Sequence, residues 1–207
     1  MNFELSLEEG VYLVRLARRA IETELRTGET VEPVEAPEKL MRPCGVFVTL
    51  NTVEGPSHRL RGCIGFPYPV KPLAEAVVDA AISAALRDPR FSPVSSGEMD
   101  SIVVEVSVLT PPEPIRVERP DQYPDHVEVG RDGLIISRGQ RRGLLLPQVP
   151  VEWGWDADEF LTQCCLKARL PPDAWLTPGT EISKFQAIIF AEEAPRGAVR
   201  RMKLQSR

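Results

Sequence analysis

The run Arg59-Leu60-Arg61-Gly62-Cys63-Ile64-Gly65 sets a thiol between two glycines, a few residues from two arginines and His58. Taken as a strand of period two, Arg59, Arg61 and Cys63 share one face, while Leu60 and Ile64 point the other way. A field of guanidinium charge favours thiolate over thiol, so such a cysteine is expected to lose its proton more easily. Glycine on either side removes bulk and lets a ligand or another stretch of backbone approach the sulfur. Nucleophilic chemistry at Cys63 is one reading. The other treats Cys63 as a small buried hydrophobe and the glycines as a bend, since free cysteine is among the most buried residue types.

A thiol nucleophile needs a base and, for an anionic substrate, a cation. Arg61 is the candidate to lower the thiol pKa or to hold the anion. His58 and Glu105 are the candidate bases. Glu105 stands among Val103, Val104, Val106 and Val108. A carboxylate there needs a partner if buried, and Arg61 or Arg90 is the natural one. The plainer readings are a structural ion pair for Glu105 and a solvated loop position for His58. Gln148, after Pro147 at an expected strand end, offers a polar contact to a substrate or only to backbone. Trp153, Trp155 and Trp175 offer aromatic area to a binding partner, or simply pack a core.

Cysteines stand at 44, 63, 164 and 165 with no Cys-x-x-Cys pair, and His58 and His126 are the two histidines. That spacing suits no zinc site. Cys164 and Cys165 point roughly 100° apart on a helix and cannot clamp one metal. No metal and no cofactor is expected. Reduced thiols are the default, with a Cys44–Cys63 disulfide open if their strands pair. The chain has no phosphate-binding Gly-x-x-x-x-Gly-Lys-Ser/Thr run, no dinucleotide glycine fingerprint and no Gly-x-Ser-x-Gly elbow. It also lacks a Cys-x-x-x-Cys-x-x-Cys run, so any radical chemistry would belong to a partner.

The elements that must position these groups are legible in part. Ser6 and Glu9 read as a capping box. Val11, Val14, Ala17, Ile21 and Leu25 then keep helical spacing to a stop at Gly28, with Arg15, Arg18, Arg19 and Glu22 elsewhere on the cylinder. A Pro/Glu-rich connector over 29–43 should wrap the surface. Strands are expected over 45–51 and 59–64, joined by a loop over 52–58. A helix follows, with Leu73, Val77, Ala80 or Ala81, and Ala84 buried, ended by Asp88-Pro89. Residues 101–109 form the strongest strand pattern. Prolines mark an irregular passage over 111–124. Short strands are expected at 127–129, 134–137 and 144–146, a helix over 156–168 and a last strand over 184–191, before a charged tail from Glu192. Strands in hairpins without βαβ alternation indicate an α+β fold with a mostly antiparallel sheet and flanking helices.

With 207 residues, 43% of them hydrophobic, the chain can build one substantial core, or two lobes sharing one. No segment approaches ~18 consecutive apolar residues, so no membrane span is expected. The first residues show no basic and apolar leader pattern, and a cytoplasmic location is expected. A net charge of -5 argues against broad nucleic-acid binding. The cluster Arg131, Arg138, Arg141 and Arg142 is read as a solvated turn. Two Asn against 20 Pro are consistent with a thermophilic source.

Several of these segments together resemble the AMMECR family. They are Leu60-Arg61-Gly62-Cys63-Ile64-Gly65, Asp88-Pro89-Arg90-Phe91, Ser107-Val108-Leu109-Thr110, Gly143-Leu144-Leu145-Leu146-Pro147-Gln148-Val149, Trp155, and Cys165-Leu166-Lys167-Ala168. The resemblance runs from about Glu8 to Glu193. It implies one domain over 1–207, with a larger and a smaller lobe around a cleft and a functional surface centred on Cys63. Candidate catalytic residues are then Cys63, Arg61 and Glu105. Candidate substrate-binding residues are Gly62, Gly65, His58, Arg90 and Gln148. The substrate would be small and anionic or nucleotide-like. The family also occurs beside, or fused with, Memo-like and radical-SAM proteins, so the alternative is an accessory or regulatory module binding such a partner through the same surface. One departure is Arg169, where the family usually has glycine, so the preceding helix must be capped differently.

Overall fold

The computed structural model describes residues 3–55 and 57–202. Helix α1 spans Leu7–Thr27. Its start is the capping box read from the sequence: the Ser6 hydroxyl accepts the Glu9 amide, and the Glu9 carboxylate accepts that of Ser6. Gly28, left-handed at φ 71°, closes it. Strands β1 (Gly45–Glu54) and β2 (Ser57–Phe66) form a hairpin longer than expected. Residues 52–54 and 57–58 pair with each other instead of forming a loop. Helix α2 (Leu73–Leu86) and strand β3 (Ile102–Leu109) follow.

The chain divides into two units. One comprises residues up to Leu109 together with the segment from Ile188, and the other comprises Thr110–Ala187. Strand β7 (Glu181–Glu192) contributes its last residues to the first unit and the rest to the second. Each unit encloses its own buried cluster rather than a share of one common core. Both are largely antiparallel sheet with helices, which makes the protein α+β.

In the first unit the strand order is β2-β1-β3-β7, and β8 (Val199–Met202) pairs with residues 189–192 of β7. Val46, Val48 and Leu50 of β1 and Val104, Val106 and Val108 of β3 face α1 and α2 and are fully buried. Arg18, expected on the polar side of α1, is 4% exposed. Its Nε donates to Glu192 Oε1 at 2.7 Å, and Glu192 Oε2 accepts the Val104 amide at 3.1 Å. Glu192 is therefore the buried end of β7, not the start of a charged tail. A buried carboxylate survives there because guanidinium and amide donors replace its water.

The second unit contains β4 (Glu113–Pro114), β5 (Asp132–Arg138), β6 (Arg141–Leu145), α3 (Gln148–Trp153) and α4 (Ala157–Lys167). β4 and β5 both pair with β7, and β6 pairs with β5. Residues 127–129 are not a strand. A 3-10 helix over Pro120–His126 precedes them, and the buried Asp132 carboxylate accepts the Glu128 amide at 3.0 Å, turning the backbone. Arg169 takes the left-handed conformation itself, at φ 57°, while the Leu170 amide reaches back to the Cys165 carbonyl at 2.9 Å. Arginine thus ends α4 by the same geometry a glycine would use, at a steric cost.

Candidate functional site

Cys63 lies on β2, which among the described residues pairs only with β1. Its peptide group does not present an open edge. The Cys63 amide donates to Asp88 Oδ2 at 2.8 Å, and Arg90 Nη2 donates to the Cys63 carbonyl at 3.2 Å. Asp88 in turn accepts the Arg90 amide at 3.1 Å and its Nε at 2.9 Å on Oδ1, and its Nη2 at 2.7 Å on Oδ2. Asp88 is the second residue past the end of α2, after the capping Arg87, and Pro89 holds it out of the helix. Its side chain is only 2% exposed. The short aspartate turns back onto the amide two residues later, as Asx turns do. From the sequence Asp88 stood as a helix stop and as part of the resembling segment Asp88-Pro89-Arg90-Phe91, with no role at the thiol. The signal for its further role was Asp-Pro-Arg, a carboxylate two residues before a cation at a forced bend.

On the sheet, Thr49 of β1 stands opposite Cys63 on one side and Glu105 on the other. The three residues form one row across β2, β1 and β3, on the face away from the buried valines. Directly opposite side chains lie about 5 Å apart at Cβ. The Thr49 hydroxyl donates to Cys63 Sγ at 3.3 Å. Cys63, Thr49 and Glu105 are all half-buried. Thr49 was missed because the sequence carries no signal for register between strands so far apart.

The arginines are placed otherwise than expected. The β1–β2 register shifts between Leu50 and Asn51, whose partners are Gly62 and Leu60, so Arg61 is an extra residue. A bulge of one residue reverses the alternation beyond it. Arg59 therefore leaves the face of Cys63 and pairs with Glu54 at 2.9 Å, both exposed. Arg61 pairs with Glu98 at 2.9 Å, not with Glu105, and its guanidinium lies 6.0 Å from the Phe91 ring centroid. Its Nη1 is buried without a hydrogen-bond partner among the described residues. His58 is exposed and in register with Val53. Five residues along a strand place it roughly 16 Å from Cys63, out of reach as a base.

Both glycines serve the chain's own backbone. A Cβ at Gly62 would collide with the Ala84 carbonyl of α2, and one at Gly65 with the Val46 carbonyl and Phe47. Of the two possibilities read from the sequence, the close approach is made by another stretch of backbone. The space beside each glycine is filled, which removes Gly62 and Gly65 as ligand cradles on that side.

Burial pushes the Cys63 thiol above its ordinary pKa, and the charges of Glu105 and Asp88 push the same way. The Thr49 hydrogen bond and the Arg90 charge pull it back. The expected lowering by Arg59 and Arg61 is thus replaced by a net rise, tempered by Arg90. Burial also raises the Glu105 carboxyl, against a hydrogen bond from Ser107. Asp88 is held well below the usual carboxylate range, chiefly by the Arg90 hydrogen bonds and, against its burial, by the Cys63 amide. Glu98 is lowered to about 2, first by Arg61. The row therefore holds a thiol and a carboxyl whose pKa values burial raises, beside a clamp that stays ionised.

The remaining candidates lie elsewhere. Cys44, Cys164 and Cys165 are buried and all four thiols are free. Cys44 precedes β1, so no Cys44–Cys63 pairing occurs. Gln148 begins α3 in the second unit, half-buried. Trp175 is buried there and donates to the Thr162 hydroxyl at 3.3 Å, whereas Trp153 is 70% exposed and stacks on Trp155 at 6.0 Å. Among the described residues, no three His, Cys, Asp or Glu side chains are grouped to hold a metal ion, and no helix is long and apolar enough to cross a membrane.

The AMMECR1 family model matches residues 14–190, and the chain belongs to that family. A protein of Thermococcus gammatolerans is 57% identical over 98% of this chain and 99% of its own. Protein PH0010 of Pyrococcus horikoshii is 56% identical over 99% of this chain and 100% of its own. The crystal structure of Protein PH0010 matches with a TM-score of 0.84 over 98% of this chain and 100% of that one.

Proposed function

We propose that the Cys63 row is the centre of a thiol-dependent activity on a small anionic, including nucleotide-like, substrate. The observation that carries this is the alignment of Cys63, Thr49 and Glu105 across three strands. A thiol whose pKa is raised is protonated at neutral pH and needs a base. A carboxylate whose pKa is raised is a stronger base than an ordinary one. Once the Thr49 hydroxyl turns its hydrogen from Cys63 Sγ to Glu105, its oxygen takes the thiol proton while that hydrogen passes to the carboxylate. The freed sulfur lone pair adds to the carbon of a substrate carbonyl as its C=O π bond opens, the oxygen takes that electron pair, and the proton held on Glu105 then passes to it.

Arg90 is the cation for the substrate. Its Nε and Nη2 are engaged by Asp88 and the Cys63 carbonyl, while its side chain remains 53% exposed beside the sulfur. Guanidinium donors in a fixed plane suit carboxylate and phosphate oxygens. Arg61, Gly62 and Gly65 fix the strand rather than touch substrate.

The test compares alkylation of Cys63 by iodoacetate and iodoacetamide, two reagents of one mechanism and different charge. The reading expects iodoacetate to be favoured over iodoacetamide relative to a free thiol, and Arg90→Gln to remove that preference. No preference in the unaltered protein counts against an anionic substrate.

A second reading is favoured by Trp153, an exposed indole stacked on another. On that reading the protein is an accessory module for a Memo-like or radical-SAM partner. Trp153→Ala would abolish association with the partner, and Cys63→Ser would leave it intact.

A further inference from the structure

The C-terminal half of α1 carries Arg19, Glu22, Thr23 and Arg26 at helical offsets of three, four and seven, which places them on one stripe. This stripe forms one wall of a groove of about 460 Å³. The opposite wall includes Ser96 of the 3-10 segment Ser96–Asp100 and Arg196 of the turn between β7 and β8. All of these residues belong to the first unit.

The charges in the groove are not balanced. Glu22 already faces Arg18 at 3.3 Å and Arg196 at 3.1 Å. Arg196 also pairs with Asp100 and holds a left-handed backbone at φ 57°, a conformation that costs an arginine more than a glycine. Arg19 and Arg26 are exposed, and among the described residues neither side chain makes an ion pair or hydrogen bond. Three guanidiniums against the carboxylates of Glu22 and Asp100 leave an excess of one positive charge, carried by Arg19 and Arg26, in a chain whose net charge is -5. The hydroxyls of Thr23 and Ser96 add neutral donors, and Leu25 and Met99 give an apolar floor.

Spacing selects among anions. Arg19 and Arg26 are separated by seven residues, or about 10 Å of helix rise. One small anion cannot bridge that distance, whereas an extended chain of anionic groups can. We infer that this groove binds an oligophosphate, a chain of three or more phosphoryl groups, free or carried on an organic body. Arg19 and Arg26 grip its two ends, Arg196 its middle, and the hydroxyls donate to the bridging region. This site is separate from the Cys63 row and does not depend on its chemistry.

The test is calorimetric titration of the full chain with sodium tripolyphosphate and, separately, with adenosine triphosphate at low salt. One-to-one binding is expected, weakened at least tenfold by combined Arg19→Gln and Arg26→Gln. Arg131→Gln, on an exposed ion pair of the second unit, should leave binding unchanged. Tighter binding of adenosine triphosphate assigns the chain to an organic phosphate using the apolar floor, and equal binding assigns it to the free chain. Thermal melts establish that the variants are folded. Absence of binding, binding untouched by the double variant, or an equal loss in Arg131→Gln would each overturn the site.

Discussion

Asp88 Oδ2 accepts the backbone amide of Cys63 at 2.8 Å while Arg90 donates to the same residue's carbonyl. A carboxylate and a guanidinium thus occupy the positions another strand would take. An exposed strand margin is a site for unwanted pairing, and this clamp closes it at the thiol. It also fixes the strand through its backbone, not through the thiol.

Asp88→Asn keeps the shape and removes the charge. A hydrogen bond to a charged group contributes roughly 1.5–3 kcal/mol, and the variant is expected to lose about that much stability at neutral pH. The pH dependence has a definite sign. The folded pKa of Asp88 is depressed, so its stabilisation is present above the unfolded value of about 3.9 and is lost as pH falls toward the folded value. Denaturant unfolding should show the two proteins converging below pH ~4. A gap that persists unchanged into strong acid contradicts the assignment.

Gly62→Ala would drive a methyl into the Ala84 carbonyl, backbone against backbone. The expected cost is roughly 3 kcal/mol, the upper range for overpacking, because neither partner is the end of a flexible side chain. Gly97→Ala meets nothing within 4 Å and should be nearly neutral. Thermal melts of the pair read the difference, and equal melting temperatures would mean that α2 does not press on β2 at this point.

Arg169→Gly should stabilise the protein. The left-handed backbone costs a side chain about 1–2 kcal/mol, partly offset by the extra freedom glycine brings to the unfolded chain. A net gain of about 0.5–1 kcal/mol is expected in denaturant unfolding. The Arg141 hydrogen bond to the residue 169 carbonyl, at 2.9 Å, uses backbone and survives the change. A loss of stability would show that the arginine side chain contributes more than its backbone strain costs.

What the sequence disclosed follows the range of the forces involved. Helix α1 was legible because its cap, apolar stripe and glycine stop are all local. The α+β class followed from hairpin spacing, and β3 from its valines. The row at Cys63 was only half legible. Cys63 and Glu105 stood out as chemistry, but Thr49 joins them through register over three strands. The bulge at Arg61 defeated the period-two reading and sent both arginines to other carboxylates. Buried Arg18 and Glu192 were hidden because their pairing joins residues 174 apart in the chain.

The most direct test of the central claim is the pH profile of Cys63 alkylation by iodoacetamide in the folded protein, read against Cys44, Cys164 and Cys165. The account predicts that Cys63 labels first, since the other three are buried. Its midpoint should lie above the free-thiol value of about 8.5, and Glu105→Gln should lower it by removing a neighbouring negative charge. If Cys63 labels only when the protein unfolds, together with the other three, it is a packing residue and the proposed thiol chemistry is wrong.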